Sequence, residues 1–156
     1  MIRRYLLAVG LALAIVALDL LTKRYAAIHF TGNPVEVIPG FLTFTSTENP
    51  GSAFSFFQEG GSVIGVIVIG VTVAVLWALR RDHPRPEQIA FGMIIGGAIG
   101  NLADRVVRGP GLLDGRVIDW IDLWWIPTFN VADMSVTFAV AMLIIYAWIS
   151  RDTASP

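Results

Sequence analysis

The chain has 156 residues, 55% of them hydrophobic and 15% charged, with a mean hydropathy of +0.68 and a formal charge of −1. Soluble domains are roughly a quarter charged, so this composition excludes an ordinary soluble protein and predicts an integral membrane protein. The near-neutral balance gives no basis for a nucleic acid partner, and the absence of cysteine excludes disulfides, thiolate metal sites and a cysteine nucleophile.

Four apolar runs, 5–21, 62–79, 88–103 and 134–150, predict an all-α membrane protein with spans over about 5–23, 62–80, 88–104 and 133–150. The runs are 16 to 18 residues long, the short end of the roughly 17–25 that a hydrocarbon core requires. No repeat, low-complexity block or linker divides the chain, so one domain over 1–156 is expected. Arg3 and Arg4 precede the first run as in a signal peptide, but Asp19, Lys23 and the lack of a small-x-small cleavage site predict a retained helix. Asp19 and Lys23 stand four apart, acid first, which predicts a structural ion pair with Lys23 snorkelling toward the interface.

In the first connecting segment, 24–61, the runs 34–38 and 41–45 flank Pro39-Gly40 and predict a small β-hairpin. Residues 49–57 mix turn formers with aromatics, a composition suited to the headgroup layer, so a platform on the membrane surface is expected. The turn 80–87 is charged, carries two prolines and shows no chemical signal. In the third run Gly92, Gly96 and Gly100 form a small-residue stripe for close helix packing, with Gly97 beside it. That run ends in Asn101, Asp104 and Arg105; Asn101 and Arg105 share a helix face, and their spacing fits a functional site or a solvated helix end equally.

The second connecting segment, 105–132, carries three acids that are not equivalent. Asp114 lies in a glycine-rich turn and is expected to bond its own backbone. Asp119 lies in the apolar run 117–121, which desolvates it, with Asp122 as a competing candidate. Asn130 is a good N-cap for the fourth span and Asp133 falls three residues on, so capping alone and function both account for them. Two carboxylates brought to one site share a proton, one acting as base and the other as acid. Asp119 and Asp133, at the two edges of the stretch 117–133, therefore suggest an aspartyl hydrolase in a membrane.

Taken together, Asp19-Leu20-Leu21-Thr22-Lys23, Asn49-Pro50-Gly51-Ser52-Ala53-Phe54, the stretch 96–105 ending Asn101-Leu102-Ala103-Asp104-Arg105, Val117-Ile118-Asp119-Trp120-Ile121 and Phe129-Asn130-Val131-Ala132-Asp133 resemble the lipoprotein signal peptidases, or signal peptidase II. The resemblance covers nearly the whole chain and implies an intramembrane aspartyl endopeptidase that cuts diacylglyceryl-modified prolipoproteins before the lipidated cysteine. It assigns Asp119 and Asp133 as the catalytic pair and places Asn49, Asn101, Asp104, Arg105 and Asn130 around the substrate or the pair. Trp120 stands where the family commonly has Phe. The implied chemistry needs no metal, cofactor or covalent intermediate. The implied partners are lipid-modified prolipoproteins and membrane lipids, for a monomer in the bacterial cytoplasmic membrane. Six basic residues against five favour cytoplasmic termini, with both connecting segments and the site on the extracytoplasmic side. A small ion carrier is the rival, disfavoured because the acids cluster at one face and no symmetric pair of broken helices is present; a scaffold whose acids are only caps is a second.

Overall fold

The computed structural model describes residues 5–51 and 60–152. It holds four helices, α1 (Leu6–His29), α2 (Gly60–Ala78), α3 (Arg85–Val107) and α4 (Val131–Asp152), and four strands, β1 (Val35–Ile38), β2 (Leu42–Asn49), β3 (Val117–Leu123) and β4 (Ile126–Phe129). The stretch 52–57, expected at headgroup level, and the flanking Arg3 and Arg4 fall outside the described residues.

By length and apolarity α1, α3 and α4 can cross a membrane, with mean hydropathies of 2.1, 1.3 and 1.8. The apolar part of α2, Ser62–Ala78, is shorter. The expected four spans are thus three full-length helices and one shorter apolar helix. Helix α1 runs past the expected end at 23 to His29, because nothing interrupts it until Gly32, Asn33 and Pro34. The first connecting segment is accordingly shorter than expected. Helix α3 starts at Arg85, behind Pro84 in an extended conformation and with Pro86 in its first turn, positions that proline tolerates because the first N–H groups have no intrahelical partner.

The glycine stripe makes α3 the central helix, packed on α1, α4 and α2. A methyl group at Gly92 would meet the Ala8 carbonyl at 2.7 Å, one at Gly96 would meet Ile15 Cβ at 2.8 Å, and one at Gly100 the Asp19 carboxylate at 2.6 Å. Three successive turns of α3 therefore lie directly on α1. On its other side Gly97 admits the Ala132 carbonyl, where a methyl group would stand 2.5 Å away, and α4 begins there.

At one end of the helices the strands form an antiparallel sheet in the order β1-β2-β3-β4. The β1–β2 hairpin over 34–45 is present, with Gly40 at φ 68° in its turn. The β3–β4 hairpin was not expected: 117–121 reads locally as an apolar run, and its strand partner lies some 70 residues earlier. The register sets Leu42 opposite Leu123, Thr47 opposite Asp119 and Asn49 opposite Val117. The pairing shows that both connecting segments lie at the same end of the helices.

Candidate active site

Side chains alternate across a strand, so Asp119 faces one side of β3 while Trp120 and Asp122 face the other. That parity separates the two competing acids. Trp120 stacks edge-on with Phe44, their centroids 5.3 Å apart. Asp119 is 1% exposed. Its Oδ2 accepts from Asn49 Nδ2 at 2.8 Å and its Oδ1 from Asn130 Nδ2 at 2.6 Å. Asn49 is in turn held by the Gly51 N–H, which donates to its Oδ1 at 2.8 Å. Gly51 sits at φ 104° with Ile64 close against it, a backbone conformation that a side chain would oppose.

Asp133 enters from the first turn of α4. The Asp133 N–H donates to Asn130 Oδ1 at 3.0 Å, and the Asn130 N–H donates back to Asp133 Oδ2 at 3.2 Å. This is a capping box, in which the helix start satisfies two orphan donors reciprocally. Capping and site are the same residues: the Asn130 amide that caps α4 also reaches Asp119. Asp133 Oδ1 accepts from Asn101 Nδ2 at 2.7 Å. The two carboxylates, 14 residues apart on different elements, are thereby joined through one residue, Asn130, whose side-chain amide donates to Asp119 and whose backbone N–H donates to Asp133.

Burial favours the neutral form of Asp119; two amide donors act against this and the neighbouring Asp133 charge reinforces it, so its pKa is pushed up to about 6. A pair in which one acid keeps its proton to that pH, beside a second carboxylate at a helix N-terminus, can offer an acid and a base together.

Asp104 and Arg105 are both buried, at 3% and 5% exposure. Arg105 donates to the Gly115 carbonyl at 3.3 Å and sits within electrostatic reach of Asp119 and Asp133. Asp104 is engaged by Lys23 at 2.9 Å, Arg108 at 2.7 Å and the Ile118 N–H at 3.4 Å. Lys23 does not snorkel. It is fully buried, paired with Asp19 at 2.7 Å and donating to Asn101 Oδ1 at 2.8 Å. The ion pair was legible in the sequence; its link through Asn101 to Asp133 was not, because it needs the α1–α3 contact. Thr47 was missed as well. Its hydroxyl donates to the Asp119 carbonyl at 3.1 Å, a contact set by strand register alone. Asp114 accepts from the Gly111 N–H at 3.0 Å, as its turn implied.

The family model of signal peptidase (SPase) II matches residues 11–149. The lipoprotein signal peptidase of Mycobacterium avium is 38% identical over 96% of this chain and 83% of that protein. That of Rhodococcus jostii is 34% identical over 96% and 76%. A bacterial membrane enzyme solved by the in meso method at 2.3 Å superposes with a TM-score of 0.82 at 30% identity, covering 95% of this chain and 91% of that one. The chain belongs to the signal peptidase II family. As a signal peptidase II it is a multi-pass bacterial membrane peptidase, which removes the ion carrier and the scaffold as readings.

A peptidase needs somewhere to lay its substrate, and two apolar grooves meet at Asp133 in this signal peptidase II. One, about 490 Å³, lies between β4 and α4 and is lined by Leu123, Ile126, Phe129, Met134 and Phe138. The other, about 360 Å³, lies between α2, α3 and α4, lined by Ile67, Val71, Ile94 and Val136, with Asn101 at its polar end. Among the described residues no cluster of side chains is suited to a metal.

Proposed function

We propose that this protein removes the signal peptide from diacylglyceryl-modified prolipoproteins, cutting before the lipidated cysteine, with Asp119 and Asp133 as the catalytic pair. The observation that carries this reading is the single amide, Asn130 Nδ2, that ties Asp119 into the cap of the helix bearing Asp133. Its support is electrostatic: Asp119 holds a proton to about pH 6, and the Asp133 carboxylate accepts two hydrogen bonds at a helix N-terminus.

In this reaction Asp133 takes a proton from a water held between the carboxylates, and the oxygen attacks the scissile carbonyl carbon. Asp119 gives its proton to the carbonyl oxygen, forming a neutral diol. Collapse of the diol breaks the C–N bond as a proton passes to the leaving amine of the cysteine. The pair then shares one proton again. The two grooves at Asp133 suit a substrate whose acyl chains and apolar signal segment both lie in lipid; each buried methylene contributes about 0.8 kcal/mol. Both termini are cytoplasmic in this reading, and the sheet and site face the other side of the membrane.

A cleavage assay in detergent, with a lipidated prolipoprotein peptide and insertion of each variant confirmed, tests the assignment. Asp119→Asn and Asp133→Asn each abolish cleavage while Asp114→Asn retains it, and chelators have no effect. Turnover by either dyad variant sinks the catalytic assignment.

A further inference from the structure

We propose that Lys23 is a positioning residue for the reaction, fixing the direction of the Asn101 amide and so forcing Asp133 to present an acceptor oxygen. The inference rests on the reading of Asp119 and Asp133 as the catalytic pair.

An ammonium has three donors and no acceptor. Lys23 Nζ meets three acceptors, Asp19 Oδ2 at 2.7 Å, Asn101 Oδ1 at 2.8 Å and Asp104 Oδ2 at 2.9 Å, so its capacity is filled. The Asn101 atom facing it must be the carbonyl oxygen. The amide nitrogen is then turned toward Asp133 Oδ1, 2.7 Å away, and that oxygen can only accept. The other two amides of the site are oriented by backbone donors, Asn49 by the Gly51 N–H and Asn130 by the Asp133 N–H. Among the described residues Asn101 Oδ1 meets no backbone donor of this kind. Among those residues its oxygen receives, besides Lys23, only the longer contact from Asn130 Nδ2, at 3.2 Å.

Removing the ammonium frees the Asn101 amide to turn over. Its oxygen would then face Asp133 Oδ1, lone pair against lone pair, unless Asp133 took up a proton. A hydrogen bond to the charged form favours that form, so its loss makes the base harder to ionise. The charged groups gathered around Asp133 are Asp119 from β3, Asp104 and Arg105 from α3, and Asp19 and Lys23 from α1. Deleting Lys23 also removes a positive charge, and the test must separate that field from the amide.

Lys23→Met alone strands buried carboxylates, so the comparison is between Asp19→Asn and Asp19→Asn/Lys23→Met. Asp104 keeps Arg108 in both, and Asn at position 19 still offers an oxygen to the Ala132 N–H that Asp19 binds at 2.9 Å. In the paired variant the acid limb of kcat/KM moves upward by about half a pH unit or more relative to Asp19→Asn. In an Asn101→Ala background the same pair of variants shows no such difference. An unmoved limb, or a shift that persists undiminished without Asn101, overturns the proposal in favour of structure alone or of charge alone. On the parental protein, isotope-edited NMR supplies a readout independent of activity and of the variants' folding. The Asn101 side-chain NH2 pair is protected from exchange and is shifted by Asp133→Asn; a pair exchanging as fast as exposed amides overturns the proposal. Inactive Asp119→Asn with an unmoved limb leaves the catalytic reading standing and removes only the role of Lys23.

Discussion

Asp119 is stabilised in the form that carries a proton, and that has consequences for stability as well as for chemistry. Its folded pKa of about 6 lies above the ordinary 3.8. Between those values the folded protein binds more protons than the unfolded chain, so stability falls as pH rises from about 4 to 6 and the deficit is complete above that. A shift of this size corresponds to something on the order of 3 kcal/mol. Thermal unfolding in detergent across this range is expected to show parental stability declining relative to Asp119→Asn, and parallel curves count against a neutral buried acid. In the proposed reaction the same proton is expected to set the alkaline limb of kcat/KM, near pH 6 in a bell-shaped profile whose limbs belong to the pair. Arg105 makes a separate case. One nitrogen of its guanidinium donates to the Gly115 carbonyl while its charge lies within reach of both acids; Arg105→Lys keeps the charge and loses the planar donor geometry, and cleavage is expected to fall roughly tenfold, as for a lost charge-assisted hydrogen bond. Steady-state kinetics at matched folded concentration checks this, and a parental rate removes the role.

Among the elements, α3 is where sequence legibility was greatest. Its glycines, four apart, stated a packing face in one dimension, and α1 lies on that face. The cap of α4 was equally legible because Asn130 and Asp133 are three apart and need no distant partner. Strand β3 was not legible. Residues 117–123 become a strand by pairing with β2, and nothing within the run distinguishes a strand from an apolar loop. The helix contacts make a sharp contrast testable. Gly97→Ala drives a methyl group against the Ala132 carbonyl, beside Asp133, whereas Gly10→Ala on α1 meets nothing within 4 Å. The first is expected to cost about 1–3 kcal/mol by overpacking and to lower cleavage with it, and the second to be neutral or slightly stabilising. Equal melting temperatures for the two variants count against the close α3–α4 contact.

For the molecule as a whole, orientation and substrate class are the open tests. A chain without cysteine accepts single reporters cleanly: a cysteine at Asp82 is expected to react with an impermeant reagent only from the cytoplasmic side, and labelling from the opposite side reverses the topology. A peptide lacking the diacylglyceryl group is expected to be cut poorly or not at all, and equal rates for lipidated and unlipidated forms contradict lateral recognition in the membrane.

The sheet that carries Asp119 is assembled from hairpins lying on either side of α2 and α3 in the chain. The first hairpin is synthesised before the second, so its β2 edge lacks its β3 partner until α2 and α3 have been made. Asn49 cannot reach Asp119 until β3 arrives and closes that edge. The order of synthesis thus acts as a lock on the proposed pair: Asp119 gains its Asn49 and Asn130 donors only once β3 and the start of α4 have been made, so a half-made chain lacks the assembled site.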